Sequence, residues 1–280
     1  MRLLDQSASK VGLANLGLFD DDIAVLERNM TAPNGIFLIT GPTGSGKSTT
    51  LYSLLEILNQ PDINIITVED PVEYTMAGIN QVQVHEKAGL TFTEALRSIL
   101  RQDPDSIMVG EIRDYPTAEL AIRAALTGHL VLSTLHTNDA PSSVVRLLDM
   151  GIAPYLISTS LVAVVAQRLL RRLCPKCKSQ YALPPALAQA HGLQEGIPVC
   201  GPVGCDECRG TGYKGRIAIV EIMEVSEKVK ALINSNAPVP AIRQAAMEGG
   251  MHLLIQSALR NVIKGVTSMD EMLALSVHND

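Results

Sequence analysis

The sequence predicts an α/β fold built on a parallel sheet. Apolar segments of strand length alternate with amphipathic helical segments along 35–172, and a glycine-rich turn joins the first strand to the first helix. The chain has 280 residues, 46% of them apolar, which is enough to bury a substantial core. These observations predict either one large domain or a large domain with a smaller appendage.

The glycine-rich turn at 41–48 reads GPTGSGKS and fits the pattern G-x-x-x-x-G-K-[ST]. Residues 35–40 before it predict a buried strand, and residues 48–58 after it predict a helix. In this setting backbone N–H groups surround phosphate oxygens at a positive helix end, Lys47 reaches the β- and γ-phosphates, and Ser48 binds Mg²⁺. A ligand-free glycine turn is the alternative. We predict that ATP or GTP is bound by Gly41, Pro42, Thr43, Gly44, Ser45, Gly46, Lys47, Ser48 and Thr49.

The elements after the turn follow from local patterns. Thr91 with Glu94 is typical of a capping box, and Pro116 is typical of the first turn of a helix. The predicted strands are 64–69, 106–110 and 130–135, and residues 216–225 predict a pair of strands. The predicted helices are 91–101, 116–126, 140–150, 154–172 and 185–191, followed by two amphipathic helices within 238–275.

Composition and charge exclude several classes of protein. The longest apolar stretch, 155–170, is interrupted by polar residues and predicts a buried helix, not a membrane span. A net charge of −6 argues against nucleic-acid binding over the whole surface, so an anionic partner would be bound locally. We expect a soluble, cytoplasmic protein. The local basic cluster comprises Arg168, Arg171, Arg172, Lys176 and Lys178.

Four cysteines form two C-x₂-C pairs, Cys174 with Cys177 and Cys205 with Cys208, separated by 27 residues. In a reducing compartment this arrangement suits a tetrahedral Cys₄ zinc site, in which the metal replaces a missing core. Reduced or redox-active thiols are the alternative. Cys200 has no pair partner, and we predict that it is a bystander thiol.

Acidic residues follow two of the predicted strands. Residues 107–110 are small or apolar and lead to Glu111, which we place at the end of a strand next to the phosphate loop. There a carboxylate holds Mg²⁺ through water or polarises the attacking water, so Glu111 is the predicted general base. Glu69, Asp70 and Glu73 form a second acidic cluster, which follows another strand and is predicted at the same sheet edge. A solvated turn is the alternative interpretation.

Arg97 and Arg101 lie four residues apart on one face of a predicted helix. Their guanidinium groups either bind the transferring phosphoryl group, as an arginine finger does, or cover a solvated helix face.

Two further pairs of residues flank these motifs. We interpret Arg113 and Asp114 as a structural ion pair. His129 and His136 flank the strand 130–135, where they are either satisfied core residues or groups that respond to the γ-phosphate.

Together these segments resemble the secretion ATPase superfamily, specifically the type II secretion and type IV pilus assembly ATPases. The segments are GPTGSGKSTT, VEDPVEY, LRSILRQDPDSIMVGEIRD and TGHLVLSTLHTND, with the cysteine pairs. The Walker A, Asp, Walker B and His boxes of that family match 41–50, 67–74, 105–114 and 128–138. Pilus retraction and conjugation ATPases resemble the core but lack the cysteine pairs, so the resemblance favours the assembly and secretion branch.

The resemblance implies a RecA-like P-loop NTPase core with ATP, Mg²⁺ and a cysteine-bound zinc. It implies a homo-hexameric ring in the cytoplasm, peripheral to the inner membrane, beside a platform protein and an acidic membrane surface, without nucleic acid. Glu111 would be the catalytic glutamate, with Glu69 and Glu73 in the acidic cluster. Arg2, Arg97 and Arg101 would approach the phosphates, and Glu73 and His136 would tune the site.

The same resemblance divides the chain into four predicted parts. These are a linker remnant at 1–30, the RecA-like core at 31–172, the Cys₄ insert at 173–215 and a C-terminal strand and helical subdomain at 216–280. Family members carry a whole N-terminal half before the core, so we expect either a piece of a longer protein or a shortened one.

The predicted function is ATP hydrolysis that powers pilus or pseudopilus assembly and protein secretion. One alternative is a nucleotide-binding, zinc-containing structural subunit with little turnover. A second is a nucleic-acid motor with a zinc finger, which the acidic pI and the 3% aromatic content disfavour.

Overall fold

Residues 12–277 are described by the computed structural model, with side chains through Leu275. Arg2, which the family resemblance brings to the phosphates, lies outside them. The strands are β1 Gly35–Thr40, β2 Ile65–Glu69, β3 Asn80–Gln83, β4 Ser106–Val109, β5 Leu130–Leu135, β6 Leu161–Leu173, β7 Ser179–Ala182, β8 Pro198–Gly201 and β9 Tyr213–Glu224. The helices are α1 Asp20–Met30, α2 Lys47–Leu58, α3 Phe92–Ile99, α4 Tyr115–Leu126, α5 Ala140–Asp149, α6 Pro154–Ser160, α7 Pro185–Ala190, α8 Glu227–Asn234, α9 Val239–Glu248, α10 Leu254–Ile263 and α11 Met269–Val277.

Seven strands form one sheet in the order β3-β2-β4-β5-β1-β6-β9. Neighbours from β3 through β6 pair in parallel, and the predicted α/β class is therefore confirmed. Every residue of β1, β2, β4 and β5 is buried, as expected for strands covered on both faces. Because all these strands run the same way, their carboxyl ends meet at one edge of the sheet.

The chain forms two compact units. The first comprises the described residues up to Gln167 together with Glu221–Met251, and the second comprises Arg168–Val220 and the described residues from His252 onward. Strands β6 and β9 pass from one unit to the other. The four-part division based on the family resemblance remains a prediction.

Helix α3 illustrates how the first unit is packed. Its apolar residues Phe92, Ala95, Leu96 and Ile99 recur at helical spacing, and all four are buried. The Thr91 hydroxyl accepts from the Glu94 N–H at 3.3 Å, which confirms the predicted cap residue.

The second unit contains the antiparallel ribbon of β7 and β8, which packs with α10. Arg171 on β6 contacts two other elements of this unit. Its Nε donates to Glu271 on α11 at 2.9 Å, and its guanidinium lies 4.1 Å from the ring centroid of Tyr213 on β9. The Tyr213 hydroxyl in turn lies 2.7 Å from the Ser268 hydroxyl.

The predicted helix at 154–172 is wrong. Helix α6 ends at Ser160, and β6 follows directly. The segment 161–166 reads LVAVVA and is almost wholly buried beside β1, where a continuous apolar run fits a strand. Periodicity does not separate a buried strand from a buried helix, whereas the β-branched residues favour the strand.

Other boundaries also differ from the prediction. The segment predicted as a pair of strands lies on the single strand β9, and 238–275 holds three helices instead of two. Glycines within 249–265 end helices that the apolar pattern alone joins together. Helix α3 stops at Ile99, so Arg101 lies in the following turn.

Candidate active site and metal centre

The loop 41–48 connects β1 to α2 and is shaped by its glycines. Gly41, Gly44 and Gly46 have φ angles of 149°, 81° and 89°, in the left-handed region. Gly46 is the N-cap of α2, so the positive end of that helix opens onto the loop. A Cβ at Gly44 would meet nothing within 4 Å. The backbone is therefore accessible to a phosphate group.

Lys47 and Ser48 begin helix α2. The Lys47 ammonium donates to the carbonyl oxygens of Gly41 at 2.8 Å and of Pro42 at 3.1 Å, so it lies against the loop. Ser48 and Thr49 lie in the same helical turn, and neither is buried. An accessible hydroxyl oxygen beside a phosphate loop suits Mg²⁺, which binds oxygen ligands.

The strand that precedes Glu111 is β4, and β5 separates it from β1, so it lies one strand further from the phosphate loop than the prediction implies. Glu111 nevertheless lies beyond the carboxyl end of β4. The Gly110 N–H donates to Val68 at 2.8 Å, and the Ile112 N–H donates to Thr134 at 3.0 Å. These bonds hold the residue between the ends of the two flanking strands.

Both oxygens of the Glu111 carboxylate have partners. Oε1 lies 3.0 Å from His136 Nε2, and Oε2 accepts from Arg113 Nε at 2.7 Å. The hydrogen bond to Glu111 is the main cause that raises the pKa of the Arg113 guanidinium above its ordinary value. Asp70 of the acidic cluster lies 3.8 Å from Arg113. The structure thus joins three of the predicted boxes in one charged network.

The predicted ion pair between Arg113 and Asp114 is wrong. Arg113 pairs with Glu111, while the Asp114 carboxylate accepts from the Thr117 N–H at 2.9 Å and caps α4. A short acidic side chain before a helix is a strong N-cap, and that local bond competes successfully with the neighbouring guanidinium.

Glu69 is buried, 4% exposed, at the end of β2. Its carboxylate accepts from the Tyr52 hydroxyl, from Thr67 at 2.5 Å and from Gln81 at 3.1 Å. The pKa of the Tyr52 hydroxyl is raised above its ordinary value, mainly by burial and secondly by the hydrogen bond to Glu69. The Glu73 N–H donates to the same tyrosine oxygen at 3.2 Å. These bonds brace the acidic cluster, and catalytic roles for Glu69 and Glu73 remain predictions.

Arg97 and Arg101 are both exposed. Arg97 pairs with Glu94 at 2.5 Å, so the Glu94 carboxylate binds the arginine instead of completing the predicted capping box. Their roles as phosphate-binding residues remain predictions.

The two histidines lie at opposite ends of β5. His136 contacts Glu111, whereas His129 Nδ1 lies 2.9 Å from the Ala124 carbonyl at the end of α4. Six strand residues separate them, about 20 Å of extended chain. His129 is therefore satisfied by a local contact, as the first of its two interpretations expects, and a response to the γ-phosphate stays a prediction.

Hydroxyl groups connect the His136 loop to the phosphate loop. The Thr40 hydroxyl, at the end of β1, lies 2.7 Å from the Thr137 hydroxyl and accepts from the Thr137 N–H at 2.8 Å. Thr137 in turn lies 2.8 Å from the Ser143 hydroxyl on α5. These bonds link the residue after His136 to Thr40, the residue that precedes the glycine loop.

Sequence reasoning missed Gln167, whose buried amide bonds to Ser45 and Thr50. It also missed Arg243, which donates to the α5 cap residue Asp139 at 2.8 Å. A polar residue that ends the apolar run 161–166 was the available signal for Gln167. Arg243 lies far away in sequence, and no local pattern pairs it with Asp139.

The four paired cysteines converge in the second unit. Their sulfur atoms all lie within 4.8 Å of one another, with three separations of 3.7–3.8 Å. Tetrahedral Zn²⁺ with Zn–S bonds of about 2.3 Å requires sulfur atoms about 3.8 Å apart. The donor set and its spacing therefore fit zinc.

Backbone N–H groups support these sulfur atoms. Desolvation would raise the pKa of Cys208, but N–H groups of Cys205 and Gly212 point at its sulfur at 3.2 Å, and the pKa falls to about 6. Desolvation dominates at Cys177 and raises its pKa to about 11. Cys200 lies on β8 outside the cluster, with its sulfur 2.8 Å from where a Gly265 Cβ would stand.

Comparisons with known proteins agree with this geometry. The family model described as "Type II/IV secretion system protein" matches residues 1–274. The type IV pilus assembly ATPase PilB of Myxococcus xanthus is 49% identical, over 97% of this chain and 49% of that protein. A putative type II secretion system protein E of Escherichia coli K12 is 48% identical, over 99% of this chain and 56% of its own length.

The pilus retraction motor PilT, solved with bound ADP, superposes with a TM-score of 0.74 at 30% identity, over 98% of this chain and 68% of that one. Within residues 12–277, no helix is both long enough and apolar enough to cross a bilayer. This chain spans about half the length of the two relatives above. The resemblance carried by the motifs is confirmed: the chain belongs to the Type II/IV secretion system protein family.

Proposed function

We propose that this chain is an ATP hydrolase that binds ATP at residues 41–49. The observation that carries the proposal is the Glu111 carboxylate, oriented by His136 and Arg113 at the sheet edge to which the glycine loop belongs. Ligands of parallel α/β sheets bind at the carboxyl ends of the strands. Support also comes from relatives that are named ATPases.

In this proposal the glycine loop neutralises the phosphates. Backbone N–H groups at the start of α2 bind the phosphate oxygens. The Lys47 ammonium, which donates to the Gly41 carbonyl in the structure, would turn to the β- and γ-phosphates. Mg²⁺, held through Ser48, would neutralise charge on the same phosphates.

Glu111 then accepts the proton of the attacking water. His136 and Arg113 fix the orientation of its two oxygens, so the base does not have to reorient as the reaction proceeds. Arg97 and Arg101 complete the charge around the γ-phosphate, and Glu69 and Glu73 hold the acidic loop in shape. Each of these roles is part of the proposal.

Two variants test the proposal. Lys47→Ala should abolish hydrolysis and weaken binding of MgATP, because it removes the phosphate-binding ammonium. Glu111→Gln should bind MgATP with unchanged affinity and lose at least ~10²-fold in kcat, because it removes the base alone. Turnover at the wild-type rate in Glu111→Gln would reject Glu111 as the base. If the wild-type chain binds nucleotide without turnover at every protein concentration tested, the alternative of a structural subunit is correct.

In the second unit, Cys174, Cys177, Cys205 and Cys208 would hold one Zn²⁺ per chain. Its chemistry is structural, since four thiolate ligands leave no open coordination position.

The role within a larger machine extends the proposal. We place the protein in the cytoplasm at the inner membrane, as a homo-hexamer beside a platform protein and an acidic membrane surface, without nucleic acid. Its ATP hydrolysis would power pilus or pseudopilus assembly and protein secretion. Support comes from the family and from relatives named for pilus assembly and type II secretion. The division at 1–30, 31–172, 173–215 and 216–280 belongs to the same proposal.

A further inference from the structure

Gln167 carries a buried carboxamide beside the glycine loop. Its side chain is 1% exposed, its Nε2 donates to the Ser45 carbonyl at 2.9 Å, and its Oε1 accepts from the Thr50 hydroxyl at 2.8 Å. Thr50 is also fully buried. A buried amide costs free energy unless it is paired, and here the two partners come from the loop and from α2.

The backbone of Gln167 touches the other end of the same loop. In the parallel pairing of β1 with β6, Thr40 lies opposite Ala166, so Gln167 is level with Gly41. A Cβ on Gly41 would lie 2.5 Å from the Gln167 carbonyl oxygen. Gln167 therefore contacts the glycine loop at two points. Its carbonyl oxygen leaves no room for a Cβ at Gly41, and its side chain bonds to the Ser45 carbonyl.

The bond to Ser45 determines the orientation of one peptide unit. The α2 ladder begins with the bond from the Thr50 N–H to Gly46 O at 3.1 Å, and among the described residues no backbone N–H donates to the Ser45 carbonyl. A trans peptide places C=O and N–H on opposite sides, so holding the Ser45 carbonyl toward β6 directs the Gly46 N–H away from β6. Among residues 12–277, no backbone carbonyl accepts that N–H.

We propose that Gln167 is a positioning residue for nucleotide binding. It fixes the Ser45–Gly46 peptide so that the Gly46 N–H faces the phosphates before nucleotide arrives, which lowers the ordering cost of binding. The hydrogen bond from the Thr50 hydroxyl holds the carboxamide so that its Nε2 faces the Ser45 carbonyl. The inference rests on the proposed function, because it assumes that the loop binds nucleotide.

Titration calorimetry of the 280-residue chain with MgADP tests the proposal. Gln167→Met keeps the length of the side chain but removes both hydrogen bonds. Gln167→Glu keeps an acceptor for Thr50 and lacks the donor for Ser45, whereas Thr50→Val keeps the donor and removes the hydroxyl. The control is Gln102→Met, which makes the same glutamine-to-methionine change on an exposed side chain of the first unit.

We expect Gln167→Met and Gln167→Glu each to raise the Kd for MgADP about tenfold, because both variants lose the hydrogen bond to the Ser45 carbonyl. Thr50→Val should raise it less, and Gln102→Met should leave it unchanged. Binding stoichiometry should stay constant throughout. A purely structural role would instead reduce the stoichiometry and kcat in proportion, without changing Kd or KM.

The outcomes separate the two hypotheses. If the wild-type chain does not bind MgADP, the proposed function fails, and this inference fails with it. If the wild type binds and both Gln167 variants bind equally well, the inference alone is wrong. A loss in Thr50→Val as large as in Gln167→Met, with Gln167→Glu at wild-type affinity, would also overturn it.

Discussion

At the scale of single residues, Glu111 differs from Glu69 through its surroundings. Glu69 is buried, and a tyrosine, a threonine and a glutamine occupy its oxygens. The Glu111 side chain is 18% exposed, and its two partners are side chains that are themselves about half exposed. A general base needs access to water, so Glu111 is the better candidate although both carboxylates lie at the carboxyl end of a sheet strand.

His136→Ala tests the orientation of that base. Removing the imidazole leaves Glu111 Oε1 without its partner at 3.0 Å, so we expect kcat to fall about tenfold or more while the Kd for MgADP stays unchanged. Steady-state ATPase assays and calorimetry provide the two measurements.

His129→Ala is the matched control, because it removes the same side chain from the other end of β5. It should retain wild-type turnover. Equal losses in the two histidine variants would contradict a specific role for His136.

Candidate residues for the site could be singled out from the sequence, while several of their contacts in the structure could not. Spacing singled out Lys47, Glu111 and the cysteine pairs, because each motif is short and local. Adjacency in sequence predicts that Arg113 pairs with Asp114. In the structure Arg113 instead pairs with Glu111, and Asp70, which follows β2, lies 3.8 Å from the same guanidinium. Partners that come from different strands depend on strand order, which local patterns do not encode.

At the scale of elements, the contact between the glycine loop and β6 depends on a close backbone approach. Strand β6 was also the largest error of prediction, because its apolar run does not distinguish strand from helix. As a strand beside β1, it brings the Gln167 carbonyl against Gly41. The absence of a Cβ at Gly41 is therefore required by a neighbour that the motif itself does not contain.

Gly41→Ala should destabilise the fold and prevent nucleotide binding. The new Cβ would lie 2.5 Å from the Gln167 carbonyl oxygen and 2.6 Å from the Ser45 hydroxyl oxygen, so the loop and β6 must separate. Backbone strain at a φ of 149° adds about 1–3 kcal/mol. Thermal unfolding measures the stability, and calorimetry with MgADP measures the binding.

Gly128→Ala is the matched control. Gly128 has a φ of 114°, and a Cβ there would meet nothing within 4 Å. This variant should lose stability from backbone strain alone and should bind MgADP normally. Retained binding in Gly41→Ala would show that the close approach to β6 is not required.

At the scale of the whole molecule, the two units rely on different sources of stability. The parallel sheet of the first unit buries large apolar side chains such as Phe37, Leu54 and Ile107. The segment 173–215 has only short strands and a six-residue helix around the four cysteines. A metal held by those sulfur atoms would supply cross-links that a small core cannot.

Removal of zinc should therefore loosen the second unit alone. After chelation, hydrogen exchange should accelerate within 173–215 while β1 and β5 stay protected, because the first unit has its own core. Native mass spectrometry should find one zinc per chain in the wild type and in Cys200→Ser, and none in Cys208→Ser. Absence of zinc from wild-type protein purified without chelator, or its loss in Cys200→Ser, would refute the assignment.

Assembly of several chains, which the proposed function includes, would complete the charge around the nucleotide. The Arg97 side chain is 56% exposed and pairs with Glu94, and Arg101 is exposed in the turn after α3. An exposed ion pair contributes little stability, so Arg97 can exchange Glu94 for a phosphate presented by another subunit. In ring ATPases a neighbouring subunit commonly completes the charge around the γ-phosphate.

We therefore expect specific ATPase activity to rise with protein concentration. An arginine finger contributes on the order of 10³-fold in rate, so the difference between separate and assembled chains should be large. The test measures specific activity across a dilution series while light scattering reports oligomer size. Arg97→Ala should flatten the dependence, whereas Arg123→Ala, which removes another helical arginine paired with a glutamate, Glu119, should preserve it. High turnover by a monomer, independent of concentration, would show that one chain holds a complete site.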